Sequence, residues 1–266
     1  MNTIWLIANG TFGEAIRRRT LLIFLLVAAV IIIAGAANTS LRPHHDTLVI
    51  ETVGQGVILL TGVFISVILG INLLPIEIER RTVYTILSKP VHRYQFLCGK
   101  FLGGLMTVLT SVAVMSFVFL LFFVIKERGF DTEVLKVCKG LLLIVFAIIL
   151  INAIAMFFSV FISPFVNFFL TFAIYLLGLS SSVTEALADP NSDPGHPKNP
   201  IVVMIFKVIH AVIPNFANYN VQNPILDPRL RITNETFFLS SSILYALAYS
   251  AFLLLIAALV FDRREV

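Results

Sequence analysis

Apolar residues in this chain come in long unbroken runs, and charge is gathered into short clusters between them. "VGQGVILLTGVFISVILGINLL" and "FLGGLMTVLTSVAVMSFVFLLFFVI" hold no charged residue at all. Six such runs stand near residues 21–38, 53–74, 101–125, 140–162, 165–183 and 240–261. A bilayer core about 30 Å thick needs about 20 apolar residues per helical span. Strands of a membrane barrel would alternate in polarity, and open sheets cannot face lipid. The pattern therefore predicts an all-α polytopic membrane protein with six transmembrane helices, one membrane domain over residues 1–266. The fourth and fifth runs are separated only by Ser163–Phe165. Pro164 cannot continue a helix, so these two spans form a tight hairpin.

Two shorter stretches have amphipathic character. "NTIWLIANGTFGEAI" sets Ile4, Ile7, Ala8, Phe12 and Ala15 near one helical face, with Trp5 beside them, which predicts an N-terminal helix lying in the membrane interface. Between spans five and six lies a long loop, 184–238, opening on "DPNSDPGHPKNP". Within it Asn199 is an N-cap candidate, Pro200 suits the first helical position and Pro214 ends the run. That run is too short to span, so it predicts a surface helix with Lys207 and His210 facing water.

Composition agrees: 58% of the 266 residues are hydrophobic, 13% are charged, and mean hydropathy is +0.96. Soluble domains have about 25% charged residues. The net charge of +4 does not imply nucleic acid, because on a membrane protein the placement of charge counts. The face holding Arg17, Arg18, Arg19, the loop 75–100 and the C-terminus carries ten basic and five acidic residues; the other carries nine and ten. The richer face is cytoplasmic, with both termini, and the loop 184–238 is outside. Arginines followed by an apolar run and "AGAA" resemble a secretory signal, but the 16 residues ahead of them favour an uncleaved first span. Cys98 and Cys138 fall on opposite faces, beyond disulfide reach. The sequons at Asn38 and Asn234 fall outside.

Read this way, the span cores hold no Asp, Glu, Lys, Arg or His; Asn72, Asn152 and Asn167 are mild polar exceptions suited to helix–helix hydrogen bonds. No metal-ligand spacing, Ser–His arrangement or GxxxxGK[ST] phosphate loop is present, so the expectation is a chain without catalytic residues, metal or bound cofactor. Gly62, Ser66 and Gly70 recur every fourth residue, a stripe fit for close helix packing or a dimer seam.

The cytoplasmic loop 75–100 has its own order. "PIEIERRTVYTIL" starts on Pro75, puts Glu77 and Glu79 in a first turn and follows with Arg80 and Arg81. Ile76, Val83, Ile86 and Leu87 supply an apolar side, with Tyr84 beside it. "SKP", with Lys89 and Pro90, breaks the helix, and "VHRYQFLCGK", with Arg93, leads into span three. Any cytoplasmic loop collects positive charge for topology, but that does not explain the helical order.

Glu77, Glu79, Arg80, Thr82, Leu87, Ser88, Pro90, Arg93, Lys100 and Gly103 together form a pattern that resembles the loop after the second span of ABC-2 type transporter permeases. "IANGTFGEAIRRRTLL" is similar to that family's entry helix, and "IPNFANYNV" resembles a segment before the last span in one branch of it. The resemblance implies a permease subunit of an ATP-driven exporter in a bacterial or archaeal inner membrane. It implies two cytoplasmic ATPase subunits, which hold the ATP and Mg, and a second permease chain, identical or homologous. It makes the helix after span two the ATPase-coupling element, with Glu77, Glu79, Arg80, Arg81, Tyr84, Ile86, Leu87, Lys89, Pro90 and Arg93 as its contact residues. The long outer loop is a docking candidate for an extracytoplasmic partner. Two rivals remain: a mechanical module acting on an envelope partner, and an ATP-independent channel or carrier. An apolar lining suits lipids, hydrophobic drugs and peptides alike.

Overall fold

The computed structural model describes residues 3–39, 46–73, 92–127, 132–189, 199–221, 223, 225 and 234–263. Among them are nine α-helices, one short 3-10 turn and no strand. The helices are α1 (Thr3–Ile16), α2 (Arg19–Thr39), α3 (Asp46–Leu73), α4 (Arg93–Glu127), α5 (Thr132–Ser159), α6 (Pro164–Leu179), α7 (Ser181–Ala188), α8 (Pro200–Val212) and α9 (Glu235–Arg263).

Four of the described helices have stretches long and apolar enough to cross a membrane: Ile50–Leu73, Arg93–Ile125, Glu133–Ser159 and Glu235–Arg263. The pair α6 and α7 adds a fifth if its two parts are one span. In α2 the apolar part described is Leu21–Ala34, shorter than a full span. The all-α membrane architecture of the sequence is thus present, with four or five spans by length among the described residues.

Two expectations about the spans are corrected. A continuous fifth span over 165–183 is interrupted: α6 ends at Leu179, and α7 leaves it at 71° and runs to Ala188, four residues past the expected loop start at 184. The bend has a local cause. Gly178 is pressed against the Pro214 carbonyl and the Phe216 ring, and its own carbonyl accepts the Phe216 amide at 3.0 Å, so a returning segment occupies the space a straight helix would need. Nor are the spans free of ionisable groups. Helix α3 begins seven residues before the expected span, and Glu51 lies inside the apolar stretch, 6% exposed.

The core is built around α5. Two thirds of its most apolar stretch (67%) is buried, against 56% for α3 and 17% for α9, so α5 is the axis and α9 lies at the edge. Its break from α6 follows the expected chemistry, with Ser163 as N-cap and Pro164 at the first helical position. Asn167, fully buried, then donates through Nδ2 to the Ala155 carbonyl at 2.9 Å and accepts from Thr171 at 2.9 Å, pinning the hairpin's two arms together.

The N-terminal helix α1 buries Ala8, Thr11 and Ala15. Its partner is α4: a Cβ on Gly99 would sit 2.8 Å from the Ile7 side chain, and one on Gly103 would sit 2.6 Å from the Ala8 carbonyl. Only glycine lets these two helices meet there. Trp5 and Leu6 point away and are half exposed.

Candidate functional site

One end of the bundle gathers the start of α4, the end of α9, all of α1, the start of α2 and the end of α3. Arg93 heads α4, and its Nη1 reaches the carbonyls of Asp262 at 3.3 Å and Phe261 at 3.4 Å. Those oxygens belong to the last four carbonyls of α9, which have no partner within the helix, and a cation there suits the negative end of the helix dipole. One turn on, Phe96 stacks on Phe261 with ring centroids 6.3 Å apart, both rings fully buried. Lys100 sits another turn along, its Nζ 5.8 Å from the centre of the Phe96 ring. Nearby, Glu14 and Arg18 pair at 2.9 Å across the break between α1 and α2, close to Asn72 and Leu73 of α3. Leu73 in turn faces Gly104, so the two spans that flank the charged loop meet where they enter it.

Of the residues named for ATPase contact, Arg93 is thus placed on α4 against the last helix. Glu77, Glu79, Arg80, Arg81, Tyr84, Ile86, Leu87, Lys89 and Pro90 lie outside the described residues.

Gly62, Ser66 and Gly70 all face α5 of the same chain. A Cβ on Gly62 would collide with Ile148 Cδ1, and one on Gly70 would come within 2.5 Å of Ala155 Cβ. Ser66 Oγ donates to the Ile148 carbonyl at 3.5 Å. The stripe is occupied within the protomer.

At the opposite end, the segment 213–221 folds back among α3, α6 and α9. Its asparagines, with Asn223 just after them, explain its composition: Asn215 Oδ1 accepts from Ala217 N and Ser181 Oγ, Asn220 Oδ1 from Val221 N, and Asn223 Oδ1 from Ile225 N. These are side-chain turns that hold a largely irregular backbone around the 3-10 turn Ala217–Tyr219. Tyr219 is buried, its phenol donating to the Ser242 carbonyl at 2.6 Å, and burial pushes that phenol well above its usual titration range. Beyond it Val221 contacts the Gly56 position of α3. The expected cap on α8 is present, with Asn199 Oδ1 accepting from Ile201 N at 3.0 Å. Lys207 and His210 are exposed, and His210 Nδ1 lies 3.4 Å from Thr184 Oγ1.

The depth of α8 was not legible in the sequence. Its last carbonyl, on Val212, accepts the phenol of Tyr249 at 2.6 Å. Tyr249 is at the midpoint of α9, roughly 21 Å along that helix from Glu235. The helix expected on the outer surface therefore reaches inward to mid-bundle at its C-terminal end. An apolar pocket of 230 Å³ opens beneath it, between Phe157, Phe158, Ile174, Pro214, Tyr249 and Phe252. A second, of 410 Å³, lies on the flank between Phe117, Leu121, Val134 and Cys138.

Sequence reasoning passed over Gln55 inside the bundle, and it expected Asn152 to hydrogen-bond between helices, which the described residues do not show. Gln55 and Asn152 are fully buried, and among the described residues neither side chain has a hydrogen-bond partner. Gln55 lies one turn from Glu51 on α3, so an i,i+4 polar pair at the start of an apolar run was the available signal. At the Glu51 end of the bundle, Lys136 pairs with Glu133 at 2.9 Å and Lys139 with Glu235 at 2.6 Å. Among the described residues no three His, Cys, Asp or Glu come together as a metal site, and both cysteines are free thiols on different helices. What the arrangement offers is mechanical: two interlocked ends joined by long helices.

Residues 5–266 match the family model described as ABC-2 family transporter protein. No curated protein matches the chain.

Proposed function

The chain belongs to the ABC-2 transporter family, and on that premise we propose that it is the permease subunit of an ATP-driven exporter. In this reading two cytoplasmic ATPase subunits hold the ATP and Mg and dock on the loop after span two. A second permease chain, identical or homologous, completes the transporter, both termini are cytoplasmic, and the protein sits in a bacterial or archaeal inner membrane.

The observation that carries the reading is how the loop is mounted. It leaves from Leu73 and returns at Arg93, and both sides are locked: Leu73 against Gly104, and Gly99 and Gly103 against α1. A loop anchored in this way passes an applied force to α3 and α4 rather than absorbing it. With Ile86, Leu87 and Tyr84 in a groove of the ATPase and Arg80 and Arg81 at its rim, closure of the ATPase dimer tilts those helices as rigid bodies. The chain supplies no group for the hydrolysis, and the energy comes from the partner.

A mechanical module that drives an envelope partner without transport is the second reading. What favours it is α8, expected outside, which leaves Ile201, Met204, Ile205 and Val208 exposed on one helix.

The test is reconstitution in proteoliposomes with the ATPase subunit, measuring ATP-dependent efflux of lipid-like and hydrophobic cargo. Efflux dependent on both chains supports export. ATP hydrolysis that is stimulated by the permease yet moves none of them turns the reading to the mechanical module.

A further inference from the structure

We infer that α9 is a second transmission element of the permease, carrying motion at the end of the charged loop through Arg93 and Tyr249 to the segment 199–221. The inference rests on the reading of the chain as an ATP-driven permease and goes beyond it, because the loop's own flanking helices are α3 and α4.

Three observations join up. At one end, Arg93 holds the last carbonyls of α9 while Phe96 and Phe261 stack beside them, so the first turn of α4 cannot tilt without taking the end of α9 along. Between the ends, the 29 residues of α9 contain neither proline nor glycine, which leaves no built-in kink to absorb motion. Farther up, two carbonyl–phenol clamps attach the same helix to the returning segment: Tyr219 to the Ser242 carbonyl, and Tyr249 to the Val212 carbonyl, both at 2.6 Å. Residues 242 and 249 are two turns apart, so both clamps act on one side of the rod.

Helix α9 is also the span least embedded in the bundle, 17% buried in its most apolar stretch where α3 is 56% buried. Its packed side, with Ala246, Leu253, Ala257 and Phe261, faces the bundle, and its other side is exposed. The ion pair between Lys139 and Glu235 is partly exposed and resists movement of this helix only weakly. Arg93 is thus a positioning residue whose action is exerted through α9, and the segment it moves carries the pocket beneath α8.

The experiment uses the complex of the chain with its ATPase in lipid nanodiscs, and follows amide hydrogen exchange over 199–221 with and without a non-hydrolysable ATP analogue. In the wild type the analogue changes exchange in this segment. In Arg93→Gln that change falls about fivefold, the shift expected when a hydrogen bond from a charged group no longer biases a two-state element. Arg93→Lys, which keeps a cationic donor, retains most of it. Tyr249→Phe keeps the packing and every charge, and it loses the change as well, while the ATPase stays bound. A purely structural role would alter basal exchange in these variants but leave the nucleotide response intact. Wild-type response in both Arg93→Gln and Tyr249→Phe, with the ATPase bound, overturns the inference. An ATPase absent even from the wild-type preparation overturns instead the reading beneath it.

Discussion

Tyr249, at the midpoint of the last helix, donates its phenol to the carbonyl of Val212, the final residue of α8, at 2.6 Å. One hydrogen bond thereby ties an irregular segment to the flank of a span. It also satisfies a carbonyl at a helix end, where intrahelical partners run out. Tyr249→Phe removes the donor and leaves the ring. The expected cost is about 1 kcal/mol of stability, somewhat more if the Val212 carbonyl finds no water. A denaturant titration of the purified protein in mild detergent reads it, and a variant as stable as the wild type would mean the bond contributes nothing.

The stripe of Gly62, Ser66 and Gly70 predicts non-additive behaviour. Gly62→Ala drives a methyl into Ile148 and is expected to cost about 1–3 kcal/mol, the usual range for an overpacked core. Ile148→Val alone opens a small gap and costs about 1 kcal/mol. Together they exchange volume across the same contact, so the double variant should be more stable than the sum of the two changes. Simple additivity would show that the two positions do not touch.

Gln55 predicts a gain. Its amide is fully buried, and among the described residues neither polar atom is bonded, a state that costs about 1–3 kcal/mol. Gln55→Leu should therefore raise the unfolding midpoint. If it lowers the midpoint, the amide is satisfied in the assembled protein, by water or by a second chain.

Asn167 predicts the reverse. Asn167→Leu frees the Ala155 carbonyl and the Thr171 hydroxyl inside the hairpin, and should destabilise by about 2 kcal/mol. Adding Thr171→Val removes the orphaned hydroxyl donor and should recover part of that loss.

These sites also mark where sequence reasoning worked and where it stopped. The apolar runs, the hairpin at Pro164 and the Asn199 cap were legible because each depends on local chemistry: desolvation, a missing amide proton, a side-chain acceptor. The bend after Leu179 was not, because it is imposed by Phe216 and Pro214, which pack there from 36 to 38 residues away in the chain. The depth of α8 depends on a phenol 37 residues from its partner. Glu51 stands two residues before the expected span at 53–74, because hydropathy places a span's edge where charge begins, whereas α3 continues past that edge. For Arg93, charge and spacing showed that it matters, but the carbonyls it holds lie 168 and 169 residues away.

The central claim is that the loop 75–100 docks an ATPase, and the most direct measurement is composition. The protein is extracted from its own membranes in a mild detergent, and proteins that co-purify in stoichiometric amount are identified by mass spectrometry. The account predicts a soluble ATP-binding subunit, lost when Arg80 and Arg81 are both reversed to Glu while the permease itself stays folded. A wild-type chain that purifies without any ATPase across several mild detergents, or an ATPase that remains bound after the reversal, would contradict it.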